Sequence, residues 1–148
     1  MNLINFQKIA YKLYIKKIPI LPKLIYHLQF LIFNSSVPYK CKIGNHTKFA
    51  YGGIGVVIHE RTTIGEHCII GQGVTIGGKS KEYEVPQIGN YVYISAGVRI
   101  IGKVIIQDNV IIGANAVVTK NISNNCIVAG IPAKVLKENI NINDYEEM

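Results

Sequence analysis

Four histidines, His27, His46, His59 and His67, are the side chains of this chain best suited to proton transfer near neutral pH. Imidazole changes its charge in the physiological range, and it is the usual general base that removes a hydroxyl proton as the oxygen attacks a carbonyl group. His59 differs from the other three because it follows an isoleucine at a position that glycine usually fills in the neighbouring repeats. The sequence therefore predicts that His59 is the catalytic base.

A ladder of aliphatic residues surrounds His59, and its members recur every six residues. This period matches neither an α-helix nor a plain alternating strand. It is typical of a solenoid in which short strands are separated by tight turns, and each repeat, or rung, packs its aliphatic side chain on the rung below. The spacing is twelve residues at one place only, between Ile76 and Ile88. The ladder consists of Ile58, Ile64, Ile70, Ile76, Ile88, Ile94, Ile100, Ile106, Ile112 and Val118.

Two segments interrupt the six-residue period, namely 50–55 and 78–87. Departures from an otherwise consistent pattern are the places where function is expected. Tyr51 and Tyr83, one in each segment, carry rings that suit stacking on a sugar, and Glu84 suits an acceptor hydroxyl or the imidazole. We predict that Tyr51, Tyr83 and Glu84 bind the acceptor. Simple packing of the tyrosines and a solvated Glu84 are the alternatives.

The neighbours of His59 along the solenoid depend on how the second interruption is accommodated. Three rungs form one coil, so residues eighteen apart stack about 4.8 Å from one another, which places Gly77 over His59. If residues 78–87 replace one rung, Ser95 and Gly113 continue this column and form a groove with accessible backbone amides. If the segment is a pure insertion, the later rungs rotate by one face and the column ends at Gly77. The sequence leaves both arrangements open.

The chain resembles the hexapeptide-repeat acyltransferases, in particular the serine acetyltransferase-like branch among enzymes that modify bacterial surface polysaccharides. The resemblance covers about residues 38–137 and implies a left-handed parallel β-helix, an acyl-CoA donor, and a homotrimer with sites between neighbouring subunits. It rests on Gly55-Val56-Val57-Ile58-His59, Val74-Thr75-Ile76-Gly77-Gly78, Val85-Pro86-Gln87-Ile88-Gly89, Ile112-Gly113-Ala114-Asn115-Ala116-Val117-Val118 and Ala129-Gly130-Ile131-Pro132-Ala133-Lys134.

The same resemblance suggests where acetyl-CoA binds. It places Lys120 and Lys134 near the coenzyme phosphates, where a point charge is useful. The glycine-rich groove beside His59 is expected to hold the extended pantetheine arm. The predicted coenzyme-binding residues are Gly77, Gly78, Ser95, Ala96, Gly113, Ala114, Lys120 and Lys134. No metal site is expected.

The chain also departs from true serine acetyltransferases. Those enzymes carry an Asp-His pair where this chain has Tyr51 and Gly52, and an Arg-His-Pro where it has Glu84, Val85 and Pro86. We therefore predict acetyl transfer to a sugar hydroxyl in surface-polysaccharide biosynthesis. The alternatives are serine O-acetylation in cysteine biosynthesis, or a non-catalytic β-helix that binds or scaffolds.

Composition divides the chain into three parts: a basic amphipathic helical segment (1–37), the β-helix (38–137) and a polar tail (138–148). Residues 1–40 hold six lysines and no acid, and Pro19 and Pro22 split the first part into two short helices. This segment is expected to cap the end of the β-helix or pack at a subunit interface, and contact with an anionic membrane surface is the alternative.

Charge and cysteine content exclude other classes of protein. The chain carries a net charge of +7, but outside residues 1–40 it is close to neutral, so no nucleic-acid-binding surface is expected. Three cysteines without a CxxC spacing predict neither a disulfide framework nor a zinc site, and they fit the reducing cytoplasm.

Overall fold

The computed structural model describes residues 2–145, and two helices begin the chain. Helix α1 (Leu3–Ile15) is capped by Asn2, whose side-chain oxygen accepts a hydrogen bond from the backbone N–H of Ile4 at 3.2 Å. Helix α2 (Leu21–Phe33) carries Pro22 in its first turn, where a missing N–H costs nothing. The predicted division into two short helices is therefore confirmed.

Short strands follow the two helices. The strands are β1 (Lys42–Ile43), β2 (Lys48–Phe49), β3 (Val57–Ile58), β4 (Thr63–Ile64), β5 (Ile69–Ile70), β6 (Thr75–Gly77), β7 (Gln87–Ile88), β8 (Tyr93–Ile94), β9 (Arg99–Ile101), β10 (Ile105–Ile106), β11 (Val110–Ile112), β12 (Val117–Val118), β13 (Cys126–Ala129) and β14 (Lys134–Glu138). They stack into three sheets that form the faces of a β-helix, the first with the order β1-β4-β7-β10, the second β14-β13-β11-β8-β5-β2 and the third β12-β9-β6-β3. All neighbouring strands are parallel except β14, which pairs antiparallel with β13.

The ladder residues fill the interior of this β-helix. Ile58 and Ile64 are 2% and 3% exposed, and Ile70 and Ile76 are fully buried. Small or branched residues at the turns, such as Cys68 and Val74, share the same core. This burial confirms the predicted inward orientation of the four isoleucines. One turn and one strand together span six residues, so the same position of each repeat points into the interior.

The segment after Gly77 is a pure insertion, and this decides the arrangement that the sequence left open. Strand β6 pairs with β9, so Gly77 lies beside Ile101, while β7 returns to the first sheet and pairs with β4. Parallel pairing of consecutive coils resumes in register on both sides of the loop. The column above His59 therefore reads Gly77 and then Ile101, and it excludes Ser95 and Gly113.

The helical segment closes the N-terminal end of the β-helix. Leu3, Ile4 and Phe33 belong to the same buried core as the ladder. Gln7 donates a hydrogen bond from its side chain to the carbonyl oxygen of Cys41 at 2.7 Å, and Gln29 donates likewise to that of Val37. These contacts agree with the predicted capping role. The boundary at 37 remains a prediction, and at the other end β14 continues one residue past 137.

The outer face of α2 is apolar. Leu21, Leu24, Leu28 and Leu31 follow one another along one side of the helix and are 41%, 59%, 45% and 80% exposed. Within residues 2–145, no helix has the length and hydropathy needed to cross a membrane. Membrane contact of this face remains a prediction. The C-terminal residues 146–148 of the predicted tail lie outside the described residues.

The three cysteines are free and buried in the β-helix. Burial raises the pKa of the Cys41 thiol to about 12, because the thiolate would lose its hydration there. Burial likewise raises the pKa values of Cys68 and Cys126. These thiols therefore pack as small apolar residues, and none is activated as a nucleophile.

Candidate active site

His59 lies at a corner of the β-helix, directly after β3, and its half-buried side chain lines an open groove. We call this edge the His59 corner; it comprises the turns that leave the third sheet, 59–62, 77–86, 101–104 and 119–121. The groove has a volume of about 370 Å³, and Pro38, Val57, Thr75 and Gly77 line it together with His59. An imidazole beside a cleft of this size is suitably placed to meet a substrate.

One backbone hydrogen bond orients the imidazole. The N–H of Arg61 donates to Nδ1 of His59 over 3.2 Å, so the neutral ring carries its proton on Nε2. A base that acts through Nε2 needs the other tautomer, in which Nδ1 carries the proton. The contact lies at the long end of the hydrogen-bond range, so its loss on tautomer exchange costs about 1 kcal/mol. The base role remains a prediction.

Gly77 and Gly78 lie beside His59, as the sequence predicted. A Cβ atom on Gly78 would lie 3.4 Å from Cγ1 of Val85 and 4.0 Å from Cδ2 of His59. A Cβ atom on Gly77 would contact Ile101 at 3.6 Å. All three distances are ordinary van der Waals contacts, so a small side chain would fit at either position, and they place Val85 and the start of the 78–86 loop close to the imidazole.

One charged pair lies within the loop 78–86 and another joins the loop to the β-helix. Lys79 and Glu82 lie 3.4 Å apart, and the Lys103 ammonium lies 3.3 Å from a carboxylate oxygen of Glu84. A hydrogen bond from its own backbone N–H, followed by the contact with Lys103, lowers the pKa of Glu84. Glu84 is thus an ion-paired, exposed residue at the edge of the site, and its predicted role in acceptor binding stays a prediction.

Arg61 is the residue of this corner that the sequence analysis missed. Its Nη2 donates to the carbonyl oxygen of Tyr83 at 2.6 Å, and its guanidinium carbon lies 4.2 Å from the centre of the Tyr83 ring. Tyr83 is thereby fixed beside Arg61, although 75% of it remains exposed. The available signal was an arginine two residues after the candidate base, in the same turn.

The remaining predicted coenzyme residues lie mostly elsewhere. Ser95, Ala96, Gly113 and Ala114 belong to the turns that leave the second sheet (50–56, 71–74, 95–98 and 113–116), which we call the Tyr51 corner. The backbone N–H groups of Ser95 and Gly113 donate to Ile112 and Val128 at 3.0 and 2.8 Å. Of the two arrangements left open, the column of accessible amides above His59 is excluded, because these amides bond within the β-helix and the insertion rotates them to another corner. Coenzyme binding by these residues stays a prediction.

The two predicted lysines and Tyr51 divide between the corners. Exposed Lys120 follows β12 in the third sheet, so it lies on the His59 corner, three strand spacings or about 14 Å along the axis from His59. Lys134 begins β14 and pairs with Ala129 in the second sheet. Tyr51 is 78% exposed on the Tyr51 corner, so within one chain it does not meet Tyr83 or Glu84.

Comparison with known proteins agrees with this architecture. Residues 86–120 match the family described as bacterial transferase hexapeptide (six repeats). The crystal structure of serine acetyltransferase from Brucella abortus strain S19 in complex with coenzyme A superposes with a TM-score of 0.86 at 27% identity, over 91% of this chain and 54% of that one. The chain has the left-handed β-helix fold of the hexapeptide-repeat transferases.

Relatives with this hexapeptide-repeat fold include several serine acetyltransferases. The one from Synechococcus elongatus is 36% identical over 87% of this chain and 53% of its own length. The one from Staphylococcus aureus strain N315 is 39% identical over 88% of this chain and 62% of its own length. The structure of Neisseria gonorrhoeae serine acetyltransferase in complex with serine gives a TM-score of 0.82 at 28% identity, over 88% of this chain and 54% of that one. The chain spans about half to three fifths of these relatives.

The other histidines of the hexapeptide-repeat fold lie away from His59. His46 and His67 stack with ring centres 4.7 Å apart, and Tyr91 stacks on His67 at 4.9 Å, all at the turns that leave the first sheet. His27 is exposed on α2. Within residues 2–145, no three His, Cys, Asp or Glu side chains are grouped so that they could hold a metal ion. His46 and His67 line a groove of their own, with a volume of about 360 Å³. His59 is the histidine whose groove lies beside the 78–86 insertion.

Proposed function

We propose that this chain transfers an acetyl group from acetyl-CoA to the hydroxyl group of serine. The observation that carries the proposal is the position of His59 in an open groove beside Gly77 and Gly78, on a fold whose solved relatives include serine acetyltransferases in complex with coenzyme A and with serine. The relatives favour serine over the sugar acceptor expected from the sequence.

His59 is the proposed general base. Its imidazole removes the hydroxyl proton of the acceptor as the oxygen attacks the thioester carbonyl carbon. The new C–O bond forms and the C–S bond then breaks, and the departing thiolate of coenzyme A takes a proton from the imidazolium. Burial raises the pKa of all three cysteine thiols, which supports direct transfer without an acetyl-cysteine intermediate.

A sugar hydroxyl is the second candidate acceptor. The observation that favours it is the composition of the loop, where exposed Tyr83 stands between Glu82 and Glu84 in the sequence. Aromatic rings and carboxylates are suitable partners for a sugar ring and its hydroxyl groups. Cation stacking by Arg61 occupies one side of the Tyr83 ring, so a sugar would have to use the other.

An acceptor panel distinguishes the two candidates. Release of coenzyme A from acetyl-CoA is measured with serine, glucose, N-acetylglucosamine and no acceptor. We expect kcat/KM for serine to exceed that for either sugar by at least about tenfold. A substrate that differs by a single methylene group already changes kcat/KM by about this factor. If a sugar is turned over faster than serine, the sugar is the acceptor. If coenzyme A is released equally fast without any acceptor, acetyl transfer is contradicted.

We further propose that the working site forms between subunits of a homotrimer. The His59 corner and the Tyr51 corner flank the same third sheet, and a trimer with that sheet facing its axis brings the His59 corner of one protomer against the Tyr51 corner of the next. Such packing unites His59 and Lys120 with Tyr51, Ser95 and Ala96. It also covers the half-exposed Val57 side chain of β3, which is 44% exposed in one chain.

Mixing two inactive variants tests this arrangement. His59→Ala and Tyr51→Ala chains should each form trimers of the 16.4 kDa chain in sedimentation experiments. When they are unfolded together and refolded, some interfaces join an intact His59 to an intact Tyr51, so activity should rise above that of either variant alone. Trimers that gain no activity on mixing, or a fully active monomer, would contradict a shared site.

A further inference from the structure

Three ion pairs involve residues of the His59 corner, and Arg61 belongs to none of them. Within residues 2–145 the ion pairs are Lys40–Glu60 at 3.2 Å, Lys79–Glu82 at 3.4 Å and Lys103–Glu84 at 3.3 Å. Lys81 and Lys120 of this corner are outside these pairs too, but both are exposed, whereas Arg61 is half-buried. The pairing with Glu60 raises the pKa of Lys40. Arg61 lies among these pairs, and no carboxylate of the described residues contacts it. A permanent positive charge therefore stands beside the candidate base without a counter-charge.

The donors of Arg61 are also incompletely used. A guanidinium group carries five N–H donors in a rigid, planar fork. One hydrogen bond of this side chain is to the protein, from Nη2 to the carbonyl oxygen of Tyr83. The Nε atom is buried and has no hydrogen-bond partner in the described part of the chain, which is unusual for a buried polar group. Because protein atoms cover Nε, a ligand would meet the Nη groups instead, which together can donate to both oxygens of a carboxylate.

The guanidinium is also held in place before any ligand arrives. Its stacking on Tyr83 and its bond to the Tyr83 carbonyl fix the orientation of the fork. Arg61 follows His59 by two residues in the same turn, so one short segment of backbone carries both the cation and the base. A group that binds a ligand without first losing side-chain freedom binds it with little entropic cost.

We propose that Arg61 binds the carboxylate of the acceptor and so selects a hydroxy amino acid over an uncharged alcohol. This inference rests on the proposed acetyltransferase function. A planar carboxylate accepts two parallel hydrogen bonds from a guanidinium, and the charge on both partners makes these bonds strong. In serine the hydroxyl oxygen is only a few bonds from the carboxylate, so anchoring the carboxylate at Arg61 presents the hydroxyl to the adjacent imidazole. Serine acetyltransferases carry an arginine in the loop where this chain has Glu84, and Arg61 would supply the positive charge from the neighbouring turn of the β-helix instead.

Comparison of serine with serinamide isolates the carboxylate. The R61Q variant should lose about 10- to 100-fold in kcat/KM for serine, the cost of a charge-assisted bidentate contact. Its kcat/KM for serinamide, which lacks the carboxylate, should change less than about threefold. The R61K variant keeps the charge but not the fork, so it should fall between R61Q and the unaltered chain for serine.

The matched control is Lys42, a cation on β1 of the first sheet, away from the His59 corner and the Tyr51 corner. Its side chain is exposed, and K42Q should change kcat/KM for serine and for serinamide little. Thermal unfolding of each variant shows whether it remains folded, and titration of serine without acetyl-CoA gives its affinity directly. Equal losses with serine and serinamide in folded R61Q, or unchanged serine affinity, would overturn the carboxylate contact. Failure of the unaltered chain to acetylate either compound would instead refute the proposed function.

Discussion

Replacing His59 by alanine should lower turnover by about 100-fold or more, the usual cost of losing a positioned general base. The side chain is half-buried in an open groove and lies outside the ladder core, so its removal should leave the fold intact. Without the imidazole, the hydroxyl proton has to leave to solvent as the oxygen attacks the thioester. Steady-state release of coenzyme A with saturating acetyl-CoA and serine measures the loss.

His46→Ala is the matched control for this prediction. His46 is an exposed histidine in a turn of the same β-helix, and its ring stacks on His67 rather than lining the His59 groove. We expect its turnover to stay within about threefold of the unaltered chain. If His46→Ala or His67→Ala abolishes activity while His59→Ala is nearly unchanged, the active site lies at the turns that leave the first sheet.

Replacing Ile94 by alanine should destabilise the fold by about 2–5 kcal/mol, the range for truncating a fully buried aliphatic side chain. Ile94 lies in β8 with no exposed surface, and the coils above and below it place Ile112 and Ile70 beside it in register. A cavity at one rung therefore removes contacts with both neighbouring rungs. Denaturant-induced unfolding at a fixed protein concentration measures the change.

Ile105→Ala provides the comparison for Ile94→Ala. Ile105 has the same side chain in a strand of similar length, but 49% of it is exposed on the outside of the β-helix. Its truncation should cost less than about 1 kcal/mol, since little apolar surface leaves the interior. Equal destabilisation by the two variants would show that the inward ladder is not the main source of stability.

The sequence by itself determined the β-helix and its inward residues. Ile58, Ile64, Ile70 and Ile76 are predicted from spacing alone, because a six-residue repeat fixes which side chain returns to the interior. It also identified the two helices, since Pro19 and Pro22 limit their extent. His59 stood out for the same reason, as a side chain at a position where the repeat usually has glycine.

Only the tertiary structure decided which residues share the corner of His59. Residues 78–87 could either replace a rung or leave the β-helix, and nothing in the spacing distinguishes the two. Each arrangement places a different rung above Gly77. Hydrogen bonds between β6 and β9 fix the answer, and they remove Ser95 and Gly113 from the column. Such pairing depends on contacts between residues more than twenty positions apart, which no local spacing records.

The position of Arg61 was likewise decided by the folded chain. In the sequence it is one of 16 Lys and Arg residues, and nothing in its neighbours distinguishes it from a solvated charge. Folding pairs the three glutamates of this corner with lysines, leaves Arg61 out of these pairs and lays Tyr83 against the guanidinium. Whether a charge remains available for a ligand depends on the distances to all other charges. Those distances are set by the three-dimensional packing of the loop on the β-helix.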